Sequence, residues 1–211
     1  MAAAGRTLEK LMKNMSLRRR GLLGAGLATL LLAACGKPTS LGEVHGINLE
    51  GSQLGKDFRL LDTEGVERSL ADYRGKVVLM FFGFTQCPDV CPTALVRAAE
   101  VKEQLGADGE RLQVLFVTVD PERDTPEVLK AYAQAFDPGF VGLYGDEARM
   151  RETAREFKVF YQKVPTGDSY TIDHTALSYV YDTQGKIRLA LRHDQTPEEY
   201  VEDLRKVFAL G

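Results

Sequence analysis

The sequence predicts an α/β fold with a mixed central sheet and helices on both faces. Three observations point there. Two runs, Val77-Val-Leu-Met-Phe-Phe82 and Leu112-Gln-Val-Leu-Phe-Val-Thr-Val119, are almost unbroken in hydrophobicity, as strands covered on both faces are. Segments of helical period alternate with them. The C-terminal part then changes to a hairpin and closes on a helix, adding antiparallel strands to a parallel core.

Residues 58–61 and 66–70 flank Thr63-Glu-Gly65 and predict an extra N-terminal β-hairpin. The strand at 76–82 runs into Phe82-Gly-Phe-Thr-Gln-Cys-Pro-Asp-Val-Cys-Pro-Thr93, where Pro92 suits a first helical turn. Helical spacing covers 94–105 and stops near Gly106. The second apolar strand ends at Asp120-Pro121, and Thr125-Pro126-Glu127 caps a helix reaching about Phe136. A short strand at 140–144 precedes a helix over 146–157. Residues 176–181 and 186–191, joined through Thr183-Gln-Gly185, form a second hairpin, and Thr196-Pro-Glu-Glu199 caps a final helix to Phe208. There is no internal repeat and no low-complexity segment.

The first 34 of the 211 residues do not fit this fold. Arg18-Arg-Arg20 precedes the apolar stretch 21–34, which is too short to span a bilayer but matches the apolar region of a signal peptide. It ends at Leu32-Ala-Ala-Cys35, similar to the cleavage site of bacterial lipoproteins, where the cysteine becomes a lipid-carrying N-terminus. The expected organisation is therefore a signal peptide at 1–34, lipidation at Cys35, a Gly-, Pro- and polar-rich tether at 35–50, and one domain at 51–211. Such a protein is exported and held by lipid on the outer face of the cytoplasmic membrane. The arginine triplet fits a twin-arginine signal as well as an ordinary one. Removing residues 1–34 takes away six Lys/Arg and one Glu and leaves 21 basic and 29 acidic groups, a net charge of −8. That balance argues against nucleic acid and leaves the lipid as the sole membrane attachment.

With Cys35 lipidated, Cys87 and Cys91 are the remaining pair, in an oxidising space. A staple between them would close too short a loop to stabilise much. They lie where a buried strand ends and a helix begins, where the helix dipole favours thiolate. A cysteine turn between strand and helix points to a thioredoxin-like fold, although three residues separate this pair rather than two. Residues four apart at a helix start lie one above the other, so the sulfurs can converge on a soft ion such as Cu(I) or form a reversible disulfide. A third donor would come from His45, His174 or His193. His45 falls in the tether and His193 beside the last helix cap. His174 precedes an apolar strand and is only slightly favoured by its surroundings.

Four segments in order resemble the Sco/SenC family, named for synthesis of cytochrome c oxidase. They are Gly75-Lys-Val-Val-Leu, the cysteine segment 82–93, Val117-Thr-Val-Asp-Pro-Glu-Arg-Asp-Thr-Pro-Glu127 and residues 170–175. The resemblance implies a thioredoxin-like fold and one copper ion, Cu(I) or Cu(II), held by Cys87, Cys91 and His174. It implies a copper metallochaperone acting on the copper-bearing subunit of cytochrome c oxidase, with other copper chaperones and a thioredoxin-like reductant as further partners. The alternative is a thiol–disulfide oxidoreductase, with Cys87 and Cys91 as its redox-active pair, or a redox or copper sensor. Asp120, at the edge that lines ligand clefts in open α/β sheets, is expected as a weak further ligand, as a hydrogen-bond acceptor near the site, or as a turn residue before Pro121. Asp124 reads as a turn or pre-cap residue, Asp89 as solvated, and Phe82, Phe84 and Tyr161 as core or site wall.

Overall fold

The computed structural model describes residues 38–211. The segment expected to be a signal peptide, Cys35 and the first residues of the expected tether lie outside the described residues. Ten strands and four helices follow in order: β1 (Ile47–Asn48), β2 (Leu60–Asp62), β3 (Glu67–Arg68), β4 (Val77–Gly83), α1 (Val90–Gln104), β5 (Leu112–Thr118), α2 (Pro126–Gln134), β6 (Val141–Tyr144), α3 (Glu147–Phe157), β7 (Tyr161–Thr166), β8 (Ser169–His174), β9 (Leu177–Tyr181), β10 (Ile187–Arg192) and α4 (Pro197–Leu210).

Eight strands make one sheet in the order β1-β10-β9-β4-β5-β6-β2-β3. Its centre, β4-β5-β6, is parallel, and β9 pairs with β4 antiparallel. This is the mixed central sheet that the order of elements predicted, and every residue of the two apolar runs within β4 and β5 is buried. Alternation sends successive side chains to opposite faces. Phe82 meets Phe157 of α3 at 5.1 Å between ring centroids on one face, while Phe81 and Phe116 stack toward Tyr132 of α2 on the other. The hairpin β2–β3 joins the far edge through β6.

Two parts differ from the sequence expectation. The tether predicted to reach residue 50 is attached to the body much earlier. Leu41 is buried, β1 pairs with β10, and the buried Asp203 carboxylate accepts the backbone N–H groups of His45 (3.0 Å) and Gly46 (2.8 Å). Those contacts come from residues some 150 positions away in sequence, so local composition does not announce them. The second difference is the hairpin β7–β8, which forms a separate two-stranded sheet and carries His174 at its end. Its turn is Gly167-Asp168 with φ +64° at the glycine, the pattern of a two-residue hairpin loop. Among the described residues no helix is long and apolar enough to cross a membrane.

Candidate metal centre

Cys87 and Cys91 come from one piece of chain, the loop and first helical turn after β4. Gly83 ends that strand, and a Cβ there would lie 2.8 Å from Cys91 Sγ and from a Phe116 ring carbon. Glycine is thus what lets the sulfur rest against the strand end. Helix α1 starts at Val90, so Cys91 is helical and Cys87 precedes the helix. The two are not stacked on one helix face as i, i+4 spacing suggested. Instead Cys87 Sγ accepts the N–H of Cys91 at 3.4 Å and that of Asp89. The sulfur occupies the place of a capping oxygen, and Asp89 at the N-cap position makes no side-chain cap bond.

The loop is fastened by Asp124, which is 1% exposed. Its carboxylate accepts Thr85 N–H (3.1 Å), the Thr85 hydroxyl (2.6 Å) and the Thr118 hydroxyl (2.6 Å). A charged acceptor with three donors ties the cysteine loop to the end of β5. The turn role read from sequence misses this, because Thr85 lies 39 residues before Asp124.

His174 arrives from the hairpin. Its Nδ1 lies 3.1 Å from the Thr175 carbonyl oxygen, which can only accept, so Nδ1 carries a proton and Nε2 is the nitrogen turned toward the sulfurs. Nε2 lies 3.4 Å from Cys91 Sγ. Phe81 and Phe84 present their rings edge-to-face to the imidazole, at 6.0 and 5.9 Å between centroids. The two sulfurs and one imidazole nitrogen all lie within 4.8 Å of one another.

The sulfurs differ in charge preference. Cys87, half-buried, is held well below the ordinary thiol range, first by the hydrogen bond from the Cys91 thiol and then by His174 and the N–H groups of Asp89 and Cys91, against the opposing pull of desolvation. Cys91 is pushed up by that same bond to Cys87 and by its own burial. One proton thus stays on the inner sulfur while the outer one is a thiolate. Two soft sulfurs and an imidazole nitrogen suit copper better than Mg²⁺ or Ca²⁺, which take oxygen ligands.

The remaining expected residues lie elsewhere. Asp120 is buried, and its carboxylate accepts the Arg123 guanidinium and the Tyr170 hydroxyl (2.8 Å) rather than joining the three donors. His45 makes a 2.9 Å contact with Glu202, which raises its pKa, and His193 is exposed. Phe82 and Phe84 are buried, the latter as a wall of the site, and Tyr161 lines a cleft with Asp120.

The sequence profile of the SCO1/SenC family matches residues 48–209. The chain belongs to the SCO1/SenC family. A SCO2-like protein of Rickettsia felis is 36% identical over 187 residues, which cover 87% of this chain and 91% of the relative. Bradyrhizobium japonicum ScoI with copper bound is 42% identical with a TM-score of 0.67, over 74% of this chain and 99% of that one. Yeast Sco1 with copper bound is 32% identical with a TM-score of 0.66, over 72% of this chain and 87% of that one. For this Sco chain, Cys87, Cys91 and His174 were legible from motif and resemblance. The supporting groups, Asp124, Arg123 and Tyr170, were not, although the spacing of Asp120 and Arg123 was a usable sign of an ion pair.

Proposed function

We propose that the protein is a copper chaperone that binds one ion through Cys87, Cys91 and His174 and delivers it to the copper-bearing subunit of cytochrome c oxidase. The observation that carries this reading is the convergence of two sulfurs and one imidazole nitrogen within 4.8 Å. It is supported by two family members solved with copper bound.

The residues divide the work. Cys91, 0% exposed, grips the ion from beneath, and its proton leaves when copper arrives. Cys87 offers a ready thiolate, and His174 offers Nε2. Both are half-exposed and line a cavity of about 230 Å³ with Phe84, Pro88 and Val90. A recipient's ligands can therefore enter on the Cys87–His174 side and exchange with these donors one at a time while Cys91 still holds the ion.

A second reading, thiol–disulfide exchange, is favoured by the asymmetry of the pair. The Cys87 thiolate would attack a disulfide of the recipient, forming a mixed disulfide and releasing one recipient thiolate. Cys91, losing its proton, would then displace the second, leaving a Cys87–Cys91 disulfide and a two-electron-reduced recipient. Restoring this site to its dithiol form calls for an external dithiol reductant, which fits the thioredoxin-like partner. Other copper chaperones fit as sources of the ion. The two readings separate in cells lacking the native protein. The chaperone reading expects His174→Ala and Cys91→Ser both to abolish assembly of the oxidase copper centre. Full assembly with His174→Ala would favour the reductase.

Export and lipidation at Cys35, with cleavage after residue 34, remain part of the proposal and rest on the basic, apolar and small-residue pattern of the first 35 residues. Cys35→Ala is expected to move the protein from the membrane to the soluble fraction.

A further inference from the structure

His174 sits on an arm outside the main sheet, and the arm is registered on the body by three side chains of one strand face. Tyr170, Ile172 and His174 alternate toward the body along β8, and Ile172 is buried. Tyr170 is the one seized by polar groups. The Arg123 guanidinium lies 3.7 Å over its ring, and Arg123 Nη1 donates to its carbonyl oxygen at 2.8 Å. Asp120 pairs with Arg123 Nε and accepts the Tyr170 hydroxyl at 2.8 Å. On the neighbouring strand, Lys163 pairs with Glu122 at 2.6 Å and lies 4.6 Å over the same ring.

We propose that Arg123 and Tyr170 are positioning residues that clamp the β7–β8 arm to the 119–124 loop and so hold His174 Nε2 within reach of Cys91. The inference rests on the three-donor reading of the site. Among the described residues no hydrogen bond or ion pair joins Arg123 or Tyr170 to a donor. It acts by removing the arm's freedom before copper arrives, so that the imidazole's ordering is already supplied by the fold. Asp124 and Arg123 belong to the same loop, so one short segment fastens both the cysteine loop and the histidine arm. An ammonium can lie over the ring, as Lys163 does, but stacking flat on it while Nε and Nη1 reach Asp120 and the Tyr170 carbonyl needs arginine's planar guanidinium.

The test uses Tyr170→Phe, which keeps the ring and removes only the hydroxyl, with Arg123→Lys and Arg123→Ala. In the reduced, metal-free protein, amide hydrogen exchange across residues 169–174 is expected to quicken by roughly tenfold or more in Arg123→Ala and less in the two milder variants, with exchange in β4 and β5 unchanged. Cu(I) affinity, read by competition titration, should fall by about 10–100-fold in Arg123→Ala. In a His174→Ala background the same substitution should cost nothing further, because the donor it positions is gone. Unchanged exchange in the arm, or an equal affinity loss in both backgrounds, overturns the clamp. If His174→Ala alone leaves copper affinity intact, the three-donor reading fails, and the exchange result still decides whether the arm is clamped.

Discussion

The cysteine loop and the histidine arm contribute to one site but are held in opposite ways. The loop grows from a strand buried along its whole length, and Gly83, Asp124 and the N-terminus of α1 fix both sulfurs from several sides. The arm is a two-stranded sheet of its own, with Ile172 as its fully buried residue in β8 and a polar clamp at Tyr170. Two-thirds of the donor set is therefore built into the core, and one-third is delivered to it. Such a division suits a carrier, since a donor on a separable arm can release its ion without disturbing the sheet.

The comparison is broken most severely at Cys91. Cys91→Ser removes the inner sulfur and should weaken Cu(I) binding by more than the roughly 10–100-fold that a supporting residue costs, measured by competition titration. His174→Ala should cost less than Cys91→Ser and at least as much as Arg123→Ala, and a loss equal to that of Cys91→Ser would mean that arm and core contribute alike.

The next effect falls on the fold. Asp124→Ala leaves the Thr85 N–H and two hydroxyls without their acceptor, and should destabilise the protein by about 3 kcal/mol in urea unfolding. Gly83→Ala pushes a methyl into Cys91 Sγ and Phe116, costing about 1–3 kcal/mol and weakening copper binding in the same variant. Tyr170→Phe and His174→Ala in the arm should spare stability and change only the site.

The smallest effect is one of protons. Because Cys87 is shifted downward, its thiolate persists through the neutral range, and its stabilisation is present at high pH and lost as acid protonates it. Alkylation of Cys87 by iodoacetamide should keep its rate as pH falls from about 8 to about 5, while Cys91 stays unreactive. Copper binding near neutrality should release about one proton rather than two, as read by calorimetry in buffers of different ionisation enthalpy.

The same division governs what the sequence reveals. Strands β4 and β5 are legible because burial on both faces writes an unbroken apolar run, and Cys87 and Cys91 follow directly at the end of one of them. The arm is not legible. Tyr161-Gln-Lys-Val-Pro-Thr166 is mostly exposed and interrupted by Pro165, so neither period nor composition marks a strand. His174 came from family resemblance, not from pattern. Asp124 looks like any turn aspartate because its partners converge only on folding, and the docked segment 41–48 looks like a linker for the same reason.

The central claim is that core and arm supply one mixed donor set. X-ray absorption on the reduced protein loaded with one equivalent of Cu(I) tests it most directly. One bound ion with two sulfur neighbours and one imidazole nitrogen is expected, the nitrogen vanishing in His174→Ala. A first shell of sulfur alone in the parent protein, or one unchanged by His174→Ala, would contradict it.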